Sequence, residues 1–290
     1  LRDTRRRIKS VQATQKITRA MELIAAARIP KASARVMASK PYTDKLVEVI
    51  RNVGRAAGGT SHMLLERRQV RTAGLVIVSA DRGLAGAYAS TIIRMAEQRI
   101  IDLKNEGVEV RIFAVGKKAQ SYFRYRGYRI EKAFVGVTDT PGYGDARALA
   151  NAILESFASG DVDTVEAFYT KFRSATTQAA VRFDLIPVES PEATAGSDAG
   201  TGKVEYSFEP SPEVILDRLP PRYVEALIFN MLLEASASEH SARRRAMKAA
   251  TDNADELIKS LTISANRARQ AEITTEISEI VGGAEALAEG

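Results

Sequence analysis

The residues most suggestive of chemistry form a glycine-bearing turn, Asp81-Arg82-Gly83-Leu84-Ala85-Gly86. The turn follows a short apolar run and precedes a helical pattern, and α/β proteins bind phosphate groups at such positions. It has neither the G-x-G-x-x-G spacing of dinucleotide sites nor the Gly-Lys-Ser/Thr of a P-loop. We therefore interpret it as a tight turn capped by Asp81, and we keep a nucleotide-binding enzyme as an alternative.

The other reactive side chains lack partners at useful spacing. His62 and His240 have no carboxylate or second histidine at ligand spacing, so no metal site is predicted. Ser79 lies outside a G-x-S-x-G motif, and the chain contains no cysteine. Glu276 and Glu279 are more typical of a solvated helix face than of an acid–base pair. We predict no catalytic residue, no metal and no cofactor.

Two polar groups near the C-terminus, Arg243-Arg244-Arg245 and Arg269-Gln270, suit protein contacts better than catalysis. They are consistent with a solvated helix face. They are equally consistent with contact with acidic loops of a protein partner, because arginine is the preferred residue for binding carboxylates. Both interpretations stay open on these residues alone.

The element that must position these arginines is a predicted helix from Arg222 to Val281. This stretch of sixty residues contains no proline and no glycine, and it is rich in helix-forming residues. One helix of that length measures about 90 Å, whereas a compact chain of this size has a diameter of about 50 Å. We therefore predict an unbroken rod.

An N-terminal helix, Leu1–Ile29, has a similar heptad spacing and is the predicted antiparallel partner. Small and polar residues dominate both seams, which lets two helices approach closely but buries little apolar surface. Pro30 is expected to end or kink the first helix, whose helical composition resumes beyond it. The predicted seam residues are Ile8, Val11, Thr18 and Ala25 in the first helix, and Ala250, Ala254, Leu257, Leu261, Ala268 and Ala271 in the second.

Between the two helices the pattern becomes that of an α/β domain. Short apolar runs such as Gly74–Ser79 and Glu109–Val115 alternate with helical segments, which predicts a mostly parallel sheet covered on both faces. The predicted fold class is α/β plus coiled coil: a long antiparallel coiled coil of the N- and C-terminal helices, with an inserted Rossmann-like α/β domain. The predicted regions are 1–57 for the first helix, 72–209 for the α/β domain with a flexible loop at 189–202, and 212–290 for the second helix.

Composition limits the classes of function. The net charge is +6, and no stretch is apolar enough to span a membrane. Basic residues are concentrated between Leu1 and Arg35, so this arm suits nucleic acid, an anionic membrane surface or an acidic protein. The arm has no aromatic residue for base stacking, which weakens a single-strand nucleic-acid function. A coiled-coil nucleic-acid-binding or adaptor protein with a Rossmann-like domain stays as the main alternative.

Three stretches resemble the gamma subunits of bacterial F-type ATP synthases. Ile8–Arg35 is similar to the family's N-terminal helix, notably in KITRAMELIAAA. Ser79–Tyr88 (SADRGLAGAY) resembles the turn after the first strand, and Ala246–Leu287 resembles the C-terminal helix, notably in NRARQAEITTEISEIVGGA. Two residues depart from the family pattern: Pro30, where the helix usually continues, and Ala85, where many relatives have cysteine.

The resemblance implies a central rotor shaft that is not itself catalytic and binds no nucleic acid. It implies as partners three alpha and three beta subunits, subunit epsilon and the ring of c subunits, at the cytoplasmic face of the bacterial plasma membrane. It also implies contacts with beta subunits at Met21, Arg243, Arg244, Arg245, Arg269 and Gln270, and a contact with the c ring or epsilon at Tyr206.

Overall fold

The computed structural model of the chain describes residues 2–56, 63–188 and 212–288. The chain divides into two compact units, a smaller one of Leu1–Ala25 with Arg244–Gly290 and a larger one of Ala26–Arg243. Parts of both terminal helices therefore belong to the same unit as the sheet. The predicted loop at 189–202 lies outside the described residues.

The larger unit is built on a five-stranded sheet with the strand order β3-β2-β1-β4-β5. Its strands are β1 (Thr72–Val78), β2 (Glu109–Val115), β3 (Ile130–Phe134), β4 (Thr164–Phe172) and β5 (Gln178–Ile186). The first four are parallel, and β5 runs antiparallel to β4. The mostly parallel sheet confirms the predicted fold class. Strand β3 was not predicted, because its sequence IEKAF has no continuous apolar run and its side chains are half-buried or exposed.

The described α-helices are α1 (Arg2–Ala56), α2 (Tyr88–Asn105), α3 (Lys117–Tyr125), α4 (Tyr143–Ala158) and α5 (Pro212–Ala288). A short 3-10 turn at Met63–Leu65 precedes β1. Asp145 lies in the first turn of α4, where its carboxylate accepts a 2.8 Å hydrogen bond from the backbone N–H of Gly142. A residue at the third helical position thus satisfies the backbone N–H of the residue that precedes the helix.

Helices cover both faces of the sheet, and two apolar cores result. On one face, Leu75 and Ile77 of β1 pack with Ile92 of α2 and Phe123 of α3. On the opposite face, alternate residues of the same strands pack against α4 and against Val224, Ile228 and Met231 of α5. Successive side chains of a strand point to opposite faces, so the apolar run of β1 supplies both cores. Helix α5 is thus part of the domain core.

Prolines do not interrupt either long helix. Helix α1 runs continuously through Pro30 and Pro41, and α5 includes Pro220 and Pro221 within its first turns. The first helix therefore does not end at Pro30. Its side chain is exposed, whereas the preceding Ile29 is buried. Packing on the inward face retains the helix although proline removes one backbone hydrogen bond on the outward face. The predicted unbroken helix over 222–281 is confirmed.

Candidate functional site

The carboxyl ends of the parallel strands are where an open α/β sheet would bind a ligand, at the point where the strand order reverses. In this sheet that point lies between β1 and β4, and α5 occupies it. The Ser238 hydroxyl donates to the Thr170 carbonyl at 3.1 Å, and Glu234 accepts from the Phe172 N–H at 3.1 Å. The Tyr88 hydroxyl donates to the Ala235 carbonyl at 3.0 Å. The chain's own helix therefore fills the crevice.

The turn after β1 is organised by hydrogen bonds to Asp81. Its carboxylate accepts from the backbone N–H of Lys117 and of Thr138, each at 3.1 Å. Although burial pushes the pKa of the Asp81 carboxyl upward, hydrogen bonds from the backbone at Gly136, Thr138 and Lys117 outweigh this effect and hold the pKa below its usual value. Asp81 thus ties the turn to α3 and to the loop after β3. This geometry supports the prediction of a tight turn held by Asp81.

The histidine of α5 lies in a buried polar cluster. His240 is 3% exposed, and its Nε2 lies 3.2 Å from the Asp139 carbonyl oxygen. Burial lowers the pKa of His240, although the neighbouring Asp139 opposes that shift. The Asp139 carboxylate is held instead by Arg28, whose Nη1 lies 2.6 Å from Oδ1. No group of three or more potential metal ligands exists among the described residues. The hydrogen bonds of the cluster join α1, α5 and the loop after β3.

A second buried pair adjoins the turn. Glu239 and Arg243 are 2% and 8% exposed, and Arg243 Nη2 lies 2.5 Å from Glu239 Oε1. The same nitrogen donates to the Gly83 carbonyl at 3.4 Å. Burial raises the pKa of the Glu239 carboxyl, although Arg243 opposes the rise. This pair was not predicted, although the i, i+4 spacing of opposite charges on one helix was the available signal.

The burial of Arg243 corrects one prediction. Arg243 was expected to face a partner, but it is buried in the larger unit, where its guanidinium forms an ion pair with Glu239. Arg244, Arg245, Arg269 and Gln270 are exposed on α5, and Met21 is half-buried. Tyr206 lies outside the described residues. Contact of the exposed residues with another protein stays a prediction.

The smaller unit is an antiparallel pair formed by the first part of α1 and the second part of α5. The hydroxyls of Thr18 and Thr251 lie 2.8 Å apart, and the Gln15 amide donates to Asp255. The residue of α1 with the lower number contacts the residue of α5 with the higher number, so the two helices run antiparallel. Two alanines, Ala25 and Ala254, are buried, so small side chains lie where the seam was predicted.

The seam departs from its predicted positions in the distal part of α5. Leu257 is 43% exposed, whereas Ile258 and Leu261 are half-buried and Ala265 is buried. Ala268 and Ala271 are exposed, because α5 continues beyond the described start of α1. Leu257, Ala268 and Ala271 are therefore not seam residues. The structure buries or half-buries the other predicted members, Ile8, Val11, Thr18, Ala25, Ala250, Ala254 and Leu261.

Comparison with known proteins places the whole chain in one family. Residues 1–287 match the family model described as ATP synthase. The ATP synthase gamma chain of Parafrankia sp. (strain EAN1pec) is 48% identical, over 100% of this chain and 98% of that protein. No described helix has the length and apolar character needed to cross a membrane.

Two solved structures share the fold. A chain of the Euglena gracilis mitochondrial ATP synthase, solved as OSCP/F1/c-ring, superposes with a TM-score of 0.69 at 19% identity, covering 99% of this chain and 94% of that one. A chain of the Tetrahymena thermophila mitochondrial ATP synthase central stalk and c-ring has a TM-score of 0.62 at 21% identity, covering 81% and 99%. The match over the full chain to bacterial relatives shows that this protein belongs to the ATP synthase gamma chain family.

Proposed function

We propose that this chain is the central rotor shaft of a proton-translocating F-type ATP synthase and does no chemistry itself. One observation carries the proposal: α5 is a single helix of 77 residues that contributes both to the sheet core and to the antiparallel pair. The same helix fills the crevice in which an α/β enzyme would bind its substrate.

The proposed partners follow from the family. Three alpha and three beta subunits surround the helix pair, while the sheet-containing unit meets subunit epsilon and the c ring at the cytoplasmic face of the bacterial plasma membrane. The distal end of α5 exposes Ile273, Ile277 and Ile280 by 47%, 56% and 72%. Large apolar side chains repeated along one helix are unfavourable in water and are typical of a protein contact. A surrounding ring of subunits supplies that contact.

The proposed mechanism is a bias on the conformations of the beta subunits. The shaft is asymmetric, so rotation presents a different surface to each beta subunit in turn. A contact that stabilises one beta conformation more than another shifts its population. Arg269 and Gln270 are exposed and form no ion pair with the described residues. Their guanidinium and amide groups are suited to carboxylates and backbone carbonyls of beta.

Replacement of Arg269 and Gln270 by alanine tests this role. Each charge-assisted hydrogen bond lost removes roughly 1.5–3 kcal/mol before screening, while alanine preserves the helix. We expect the complex of alpha, beta and gamma chains to assemble, and its coupled synthesis and hydrolysis of ATP to fall. Glu106→Ala is the control, because Glu106 is exposed and makes one surface ion pair, 3.6 Å from Arg99, of small value.

Two outcomes would count against the proposal. Wild-type turnover by the double variant in a fully assembled complex would exclude these two residues as the beta contact. Failure of the wild-type chain to co-purify with alpha and beta subunits would remove the rotor function itself. In that case, binding to DNA with a steep dependence on salt would favour the nucleic-acid alternative.

A further inference from the structure

A cavity lies beside the turn after β1, between that turn and helices α2 and α3. Its volume is about 560 Å³, within the range of small-molecule sites. The floor is apolar and includes Ala85, Ala89 and Ile93, of which Ile93 is 7% exposed. This floor is separate from the crevice at the carboxyl ends of the strands, which α5 fills.

The rim of the cavity is cationic. Arg82, Arg94 and Lys118 line it, and none of the three forms an ion pair with the described residues. The Lys118 ammonium lies over the turn, 3.8 Å from where a side chain at Gly83 would begin. Three unneutralised cations around an apolar floor attract anions by their summed field.

The one carboxylate on the lining does not cancel this charge. Glu97 accepts a 2.6 Å hydrogen bond from the Tyr122 hydroxyl and a 2.9 Å bond from Arg126 Nε. Its two oxygens are thus engaged at the edge of the cavity, by α3 and the residue that follows it. The Ser90 hydroxyl is also occupied, by the Ala87 carbonyl at 3.1 Å. The lining therefore offers cations and apolar surface, but few side-chain hydrogen-bonding groups are left to recognise the edge of a nucleobase.

The turn that forms one wall is conformationally unusual. Leu84 has a φ of 64°, a left-handed conformation that costs a non-glycine residue energy and is enriched at functional sites. Its side chain is 61% exposed at the mouth of the cavity. Hydrogen bonds of Asp81 to α3 and to the loop after β3 hold this turn in place. The apolar side chain is thereby kept at the opening, where it would cover the body of a bound molecule.

We propose that this cavity binds a small amphipathic organic anion, with an aromatic or aliphatic body on the Ala89–Ile93 floor and one carboxylate, sulfonate or phosphate among Arg82, Arg94 and Lys118. The proposal does not depend on the rotor function. The anion neutralises charges that the chain leaves unpaired, and its body covers apolar surface that water otherwise contacts. Both effects are needed, so the neutral analogue of the same body and the bare inorganic anion should bind weakly.

The test is calorimetric titration of the purified full chain with 1-naphthalenesulfonate. We expect one site per chain, and an affinity that falls with added salt. The double variant Arg94→Glu/Lys118→Glu should weaken binding by about tenfold or more, because two attractive charges become repulsive. The matched control is Arg124→Glu/Lys132→Glu, which makes the same change of net charge at exposed positions outside the cavity and should alter affinity little.

A second variant separates shape from charge. Ser90→Trp adds bulk at the exposed rim without changing charge, and it should also remove most binding while circular dichroism stays that of the wild type. Equal binding of the neutral analogue 1-naphthalenemethanol would overturn the proposal. So would equal losses in the cavity double variant and its control, or undiminished binding in Ser90→Trp.

Discussion

Replacing Arg243 with alanine should destabilise the larger unit by about 3–5 kcal/mol at neutral pH. The Arg243 and Glu239 side chains are 9% and 2% exposed and lie 2.5 Å apart. The other carboxylate oxygen of Glu239, Oε2, has no hydrogen-bond partner among the described residues. Loss of the guanidinium therefore leaves a buried carboxylate without a counter-charge, which is the costly way to break a buried ion pair.

The destabilisation should depend on pH in a defined direction. Burial already raises the pKa of Glu239 in the folded chain, although Arg243 opposes the rise. Without Arg243 that pKa rises further above its value in the unfolded chain. Folding of the variant then requires proton uptake, and the free energy of unfolding falls as pH increases. The difference from wild type should be small in acid, where both folded chains hold the proton, and should grow by up to about 1.4 kcal/mol per pH unit.

Urea unfolding followed by tyrosine fluorescence is the appropriate assay. All nine tyrosines of the chain lie in the larger unit, so the signal reports the unit that contains the ion pair. Arg244→Ala is the matched control: it removes the same charge at the adjacent, exposed position and should change the free energy of unfolding by less than about 0.5 kcal/mol. The double variant Glu239→Leu/Arg243→Met should recover most of the stability, since an apolar pair needs no counter-charge.

Either of two results would refute this reasoning. A loss below about 1 kcal/mol in Arg243→Ala at neutral pH would mean that water reaches the Glu239 carboxylate and solvates it. A loss of the same size in acid and at neutral pH would mean that the variant fails through lost packing of the arginine stem, not through the unpaired charge.

Three further predictions concern the helix pair, the turn and the crevice. Ala25→Leu should destabilise the chain by about 1–3 kcal/mol through overpacking at a position that is 1% exposed, whereas the exposed Ala27→Leu should be near neutral in thermal unfolding. Asp81→Ala should cost about 1–3 kcal/mol and flatten the acid dependence of stability: the folded-state pKa of Asp81 lies below its usual value, so its contribution is present above about pH 4 and is lost as pH falls through the folded pKa. Calorimetric titration of the full chain with ATP should show no binding in the crevice that α5 fills, and saturable ATP binding that the cavity variant Arg94→Glu/Lys118→Glu leaves intact would contradict that assignment.

Much of the fold follows from local pattern. The apolar runs of β1 and β2 were predicted within one or two residues, because burial on both faces of a parallel strand leaves a continuous apolar run. Strand β3 left no such signal, since most of its surface is half-buried or exposed. Pro30 was misjudged because a proline on the outward face of a packed helix disturbs only one hydrogen bond.

By itself, the sequence determined that this chain has two long helices around an α/β domain, and its motifs identified the family, because composition and period are properties of neighbouring residues. Only the tertiary structure decided which groups meet across the fold. Arg243 and Gly83 are 160 residues apart, and His240 and Asp139 are 101 apart. No local pattern reports such a pairing. It depends on α5 packing across the carboxyl ends of the strands, which buries Arg243 and fills the crevice where a ligand would bind.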